Sequence, residues 1–153
     1  MSVLENRIAI ITGSSSGIGA GVAEAFATEG ATVIINYPDE SELQNAQNTL
    51  NKIIHLSPQS QIIQANVSSE DEVISMINEI NSIHGTIDIL VNNAGIATSA
   101  PVHEMTSSMW DELISIHLKG TFLCTREVLK IMYKKNYGKI INTASQLAYK
   151  GSA

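Results

Sequence analysis

The sequence predicts an α/β protein built on a doubly wound parallel sheet. Three observations carry that expectation. Short, nearly continuous apolar runs alternate with longer stretches of helical spacing. That is the pattern of parallel strands buried on both faces and joined by crossover helices. The first apolar run enters a helix through the glycine-rich turn Thr12-Gly13-Ser14-Ser15-Ser16-Gly17-Ile18-Gly19. A later run, Ile87-Asp88-Ile89-Leu90-Val91, ends in the small and amide residues Asn92-Asn93-Ala94-Gly95. Open parallel sheets bind their ligands at such strand ends.

The elements follow in order. Ile8–Ile11 is the first strand, and the helix from Ala20 to Glu29 places Val22, Ala25 and Phe26 on one face before Gly30 closes it. Between them, a strand turning through glycines into a helix makes a phosphate site, because the helix N-terminus offers free N–H groups and about half a positive charge. Gly13 permits the tight turn, Gly17 lets backbone approach a pyrophosphate, and Gly19 lets helix and strand pack closely. Val33–Ile35 is the second strand, followed by a helix from Glu42 to His55 that Ser57-Pro58 ends. Ile62–Ile63 is the third strand. Ser69-Glu70-Asp71-Glu72 reads as a capping box opening a helix with Val73, Met76, Ile77 and Ile80 on one face. After Ile87–Val91 comes the longest helical region, Thr106 to Tyr133, read as two helices meeting near Lys119-Gly120. Lys134-Lys135 reads as a solvated helix end. Ile140–Ile141 marks the last strand, an apolar sheet edge followed by few residues. The whole, residues 1–153, reads as a single Rossmann-like domain missing its last strands and helices.

Composition narrows the function. The chain has 153 residues, 44% hydrophobic and 16% charged, with a formal net charge of −6. A net-negative surface disfavours nucleic acid and membrane surfaces as partners, since both are polyanionic. No apolar run is long enough for a membrane span, and the first seven residues lack a signal peptide's features. One cysteine, Cys124, precludes an intrachain disulfide and suits a reducing cytoplasm. Its apolar neighbours mark it as a core residue. His55, His84 and His103 stand far apart without ligand spacing, so no metal site is expected.

Together the motifs resemble the short-chain dehydrogenase/reductase family, nearest in pattern to its 3-oxoacyl carrier-protein reductase type. The resemblance runs through the glycine turn, Asn66-Val67, Asn92–Gly95, Trp110-Asp111, and Gly138-Lys139-Ile140-Ile141-Asn142 leading to Ser145. It implies hydride transfer between a nicotinamide cofactor and a small carbonyl or alcohol substrate. It also implies that Ser145 orients the substrate oxygen. The family's helix asparagine is replaced by His117, which either relays protons or packs between helices. The family's general-acid tyrosine is followed four residues later by lysine. None of Tyr37, Tyr133, Tyr137 and Tyr149 meets that condition, and the pair is expected past Ala153. Without that acid, this polypeptide is expected to be a poor catalyst, or a nucleotide-binding or assembly module without catalysis.

The resemblance assigns cofactor contacts to Gly13, Ser14, Ser15, Ser16, Gly17, Ile18, Gly19, Tyr37, Asn66, Val67, Asn93, Ala94 and Gly95. Asn66 is expected at adenine, with Val67 packed on the ring. The second strand ends Ile35-Asn36-Tyr37-Pro38, with no acid before Asp39. NADP is therefore expected over NAD, and Tyr37 is placed where an acid would select NAD. No Lys or Arg stands there to pair with a 2′-phosphate, leaving Ser14–Ser16 and Asn36 as neutral donors. The apolar excess over Thr106–Tyr133 predicts a homo-oligomer through those helices.

Overall fold

The computed structural model describes residues 2–150. Five strands form one parallel sheet: β1 (Ile8–Ile11), β2 (Thr32–Tyr37), β3 (Gln61–Gln64), β4 (Ile89–Asn92) and β5 (Lys139–Asn142). The helices are α1 (Gly17–Thr28), α2 (Leu43–Ile53), α3 (Glu70–His84), α4 (Ser107–Ile114), α5 (Gly120–Lys135) and the short α6 (Leu147–Lys150). Sheet order is β3-β2-β1-β4-β5. Ile10 stands opposite Ile34 on one side and Leu90 on the other. The chain winds outward to β3, then crosses back over β1 to β4. That reversal opens a crevice at the carboxyl ends of β1 and β4, where such sheets take ligands.

Each sheet face has its own core. Ile8, Ile10, Ile34, Ile63 and Leu90 meet Val73, Met76, Ile77 and Ile80 of α3 and Leu123, Cys124 and Val128 of α5. The four predicted apolar positions of α3 are thus its buried face. On the other side Ala9, Ile11, Val33, Ile35 and Val91 meet Ala23 and Ala27 of α1 and Ala46 and Ile53 of α2. Cys124 is fully buried, and burial pushes its thiol up to about 12. It stays protonated and inert, as a core residue should.

Several local expectations change. Ser69 makes no side-chain cap bond. Glu72 instead accepts the Asn66 N–H at 2.8 Å, so the carboxylate braces the turn leaving β3 rather than closing a capping box. In the long helical region α5 does begin at Gly120, where two helices were expected to meet, but no loop separates it from α4. A π-helical turn, Ser115–Lys119, carries the chain from α4 into α5. Glycine is needed at 120 for proximity, since a Cβ there would lie 2.8 Å from Val67 Cγ2. Nor is Lys135 a free helix end. Its Nζ donates to Asp88 Oδ1 at 2.6 Å and Thr86 Oγ1 at 2.7 Å. Asp88 is fully buried, and its other oxygen accepts the Ile8 N–H at 3.0 Å. The carboxylate is thereby tied to β1 and α5 at the end of the sheet away from the crevice.

Candidate functional site

The crevice is a cleft of about 580 Å³ over the strand ends. Its floor begins at the glycine turn. Gly13 has φ +59°, and a Cβ on it would meet Ala94 Cα at 2.7 Å. Gly17 has φ +58° with open space beside it. A Cβ at Gly19 would meet the Gly13 carbonyl oxygen at 2.5 Å and Asn93 Nδ2 at 2.6 Å. Two of the three glycines therefore serve close approach, and two serve left-handed backbone. The first bond of α1 runs from Ala20 N–H to the Ser16 carbonyl. The N–H groups of Gly17, Ile18 and Gly19 precede it and make the anion-facing helix end. The Ser16 side chain makes no cap bond that would cover them.

The β4 end is joined to this turn by a polar clamp. Asn93 Nδ2 donates to the Thr12 and Gly13 carbonyls, both at 3.1 Å. Thr12 Oγ1 accepts the N–H of Asn93 and of Ala94, both at 3.0 Å. Thr12 is thus a site residue in its own right. Its only sequence signal is its place at the mouth of the glycine turn.

Asn36 performs a similar task between β2 and the turn. Its Oδ1 accepts the Gly13 N–H at 3.2 Å and its Nδ2 donates to the Ala65 carbonyl at 2.9 Å. Both ends of this buried amide are occupied, which removes it from the donors available to a ligand phosphate. Ser14 is likewise committed. It is buried, donates from Oγ to the Ile11 carbonyl at 2.7 Å, and accepts the Asn36 N–H at 3.2 Å. It fixes the turn without lining the cleft.

Tyr37 is a correction to the expected cofactor contacts. It is buried on the α1/α2 side with Val33 and Ile35 and does not line the cleft. Alternation along a strand puts residues 33, 35 and 37 on one face, and that face is core. Burial, with Glu40 adding to it, raises the phenol above its ordinary value. Pro38, Asp39 and Glu42 line the cleft at that end instead. Gly17 also lies outside the main lining. It borders a shallower polar hollow between α1 and α2.

The other expected residues gather in one place. Gly13, Ser15 and Ser16 line the cleft from the glycine turn, Ile18 and Gly19 from the start of α1, Asn66 and Val67 from beyond β3, and Asn93, Ala94 and Gly95 from beyond β4. Ile18 is 71% exposed although apolar, as suits a residue at a ligand surface. The Asn66 side chain closes a local turn, its Oδ1 accepting Ser68 N–H and Oγ at 3.0 and 2.7 Å.

His117 and Ser145 are not brought together by any hydrogen bond among the described residues. His117 stands on the π turn with its Nε2 3.0 Å from Ile96 N and 2.9 Å from Ile96 O. It accepts from one or donates to the other according to tautomer. Its ring fills the space a side chain at Gly95 would need. The imidazole thus holds the cleft wall to the long helix. Ser145 is exposed between β5 and α6, where its Oγ accepts the Leu147 N–H at 3.2 Å. Tyr149 is exposed, and Ala153, four residues on, lies outside the described residues.

Fold and crevice define a Rossmann-like α/β protein. The chain belongs to the short chain dehydrogenase family, whose profile matches residues 7–153. It is 40% identical over 146 residues to the uncharacterized oxidoreductase YxbG of Bacillus subtilis, covering 95% of this chain and 52% of that one. It is 38% identical over 147 residues to the 3-oxoacyl-[acyl-carrier-protein] reductase FabG of Staphylococcus epidermidis, covering 96% and 59%. It is 37% identical over 152 residues to the 3-oxoacyl-[acyl-carrier-protein] reductase of a Synechocystis strain, covering 99% and 61%. The chain spans a little over half the length of these relatives. Among solved structures, a metagenomic short-chain oxidoreductase in complex with NADP superposes with a TM-score of 0.89 at 30% identity, covering 98% of this chain and 67% of that one.

Proposed function

We propose that this chain binds a nicotinamide dinucleotide as part of a reductase of the 3-oxoacyl carrier-protein type, exchanging hydride with a carbonyl or alcohol substrate. One observation carries the reading: the clamped turn Thr12–Gly19, from which Gly13, Ser15, Ser16, Ile18 and Gly19 line a cleft that Asn93 and Ala94 complete. NADP is the form proposed, supported by the complex of the structural neighbour and by the lack of an acid among Asn36, Tyr37 and Pro38. Bound there, the cofactor supplies the hydride. The turn holds its diphosphate, and Asn66 and Val67 border its adenosine end.

The proposed roles of Ser145 and His117 rest on their places in the family pattern. Ser145 orients the substrate oxygen. His117, with Nε2 engaged at Ile96, shapes the cleft wall beside any role in proton relay. No tyrosine of the 153 residues is followed four positions later by lysine, so the proton donor of the family's chemistry is not identified among them. A cytoplasmic setting suits the single buried thiol. We further propose that the α4–α5 region joins copies of the chain, because Trp110, Leu118 and Phe122 are 58, 64 and 57% exposed along it.

The test is calorimetric titration with NADPH, followed by its absorbance with an acetoacetyl ester present. Binding without turnover is expected from this polypeptide. Absence of binding by the folded protein overturns the reading. Turnover at ordinary enzyme rates would show that His117, Tyr149 or a partner chain supplies the acid.

A further inference from the structure

The cleft carries one sign of charge at its β2 end. Asp39 and Glu42 line it there, and no Lys or Arg is among its lining residues. Residues just beyond the second strand of such a fold meet the 2′ position of the adenosine ribose. The two carboxylates are built in rather than loose. A single 3₁₀ turn, Glu40–Glu42, starts on Asp39, whose Oδ1 accepts Ser41 N–H at 2.9 Å and Ser41 Oγ. Those bonds hold the Asp39 carboxyl below its ordinary value. The Glu42 N–H donates back to the Asp39 carbonyl at 3.0 Å. The Glu42 side chain then crosses to the glycine turn. Its Oε2 accepts from Ser15 Oγ at 2.7 Å and from Asn45 Nδ2 at 3.2 Å.

Ser15 is the consequential partner. Ser14 and Asn36 are consumed by internal bonds, so Ser15 and Ser16 are the remaining hydroxyl donors of the turn. Glu42 takes the first of them. Its carboxylate rests as an internal anion on two neutral donors, beside the place a phosphate would approach.

We propose, resting on the dinucleotide reading above, that Glu42 is a specificity-determining residue that weakens binding of the 2′-phosphorylated cofactor relative to the unphosphorylated one. A phosphate of nearly two negative charges must either displace Glu42 from Ser15 or lie beside it and Asp39, with no Lys or Arg among the cleft's lining residues to offset them. A ribose hydroxyl faces neither cost and can donate to a carboxylate. NADP binding at this site is therefore restrained by a residue of the chain itself, and relieving that restraint needs one isosteric change.

The experiment is calorimetric titration of wild type, Glu42→Gln and Glu42→Ala with NADPH and with NADH at low ionic strength. Glu42→Gln keeps an oxygen for Ser15 and removes the charge. The expected result is an NADPH affinity raised about tenfold, the scale of one partly screened charge interaction near a surface, with NADH affinity unchanged or lowered. The gain should shrink in high salt. Glu79→Gln, the same charge change on the exposed face of α3, should move neither cofactor. Glu42→Ala must shift the ratio in the same direction. If both cofactors bind and their affinity ratio is the same in wild type and variants, this inference falls alone. If neither cofactor binds the folded wild type, the dinucleotide reading falls and takes it along.

Discussion

Gly17 and Gly19 stand two residues apart and should fail differently when changed. A methyl at Gly19 would overlap the Gly13 carbonyl and the Asn93 amide, both parts of the clamp. Gly19→Ala is expected to cost about 1–3 kcal/mol of folding stability, the usual scale of overpacking, and to abolish cofactor binding by spreading turn and β4 apart. Gly17→Ala meets no atom within 4 Å. It pays only for its left-handed backbone, about 1 kcal/mol, yet puts a methyl where backbone must approach a phosphate. Urea denaturation and calorimetry on the same two variants check the contrast. Equal losses of stability would show that the close approach at Gly19 is not tight. Asn36 and Thr12 belong to the same scale. Each is an ordinary polar residue at a strand end, and only the neighbouring strands make them hubs.

Among the elements, α3 and α5 are joined by an ionic ladder. Arg126 reaches Glu70 at 2.6 Å and Glu127 at 2.8 Å, and Lys130 closes on the other oxygen of Glu127. Glu127 is nearly buried. The Lys130 hydrogen bond first, and Arg126 after it, hold its carboxyl below the ordinary carboxylate value, against burial pulling the other way. A carboxyl depressed in the folded state stabilises at pH above its unfolded value, and that contribution is lost as pH falls through the folded value. Wild type should therefore lose more stability than Glu127→Gln between pH 6 and the acid side of the ordinary glutamate range, about 4.3. Urea midpoints over that range measure it, and parallel curves would count against the ladder. The helix ends teach a related lesson. Thr106 caps α4 through the Met109 N–H at 3.2 Å, whereas Ser69, in the more persuasive sequence pattern, caps nothing. A capping motif states what side chains can do, and Glu72 had a competing partner in the Asn66 N–H that only the fold brought near.

At the scale of the whole molecule, the exposed aromatic and aliphatic residues of α4–α5 are the feature a lone chain leaves unexplained. The predicted apolar excess does not all reach the core. Leu123, Val128 and Met132 do, while Trp110, Leu118 and Phe122 face outward. Light scattering at micromolar concentration is expected to show an oligomer, and Phe122→Glu should shift it toward monomer by placing a charge in a buried contact. A wild-type monomer at that concentration would remove the interface. Among the described residues β5 and β3 flank the sheet, and Ile141 of β5 is 47% exposed.

The strands, their parallel arrangement, the phosphate turn and the β4 end at Asn93 were legible in the sequence. They depend on local periodicity and on glycines whose conformations few other residues tolerate. Family membership followed from the same motifs in order. The tertiary structure alone decided which polar residues face the cleft. It turned Tyr37 into the core, spent Ser14 and Asn36 on the turn's own backbone, bound His117 to Ile96, and brought Glu42 across to Ser15. A side chain's direction and its partners depend on the strands and helices packed beside it, and those neighbours lie 21 to 81 residues away in the chain.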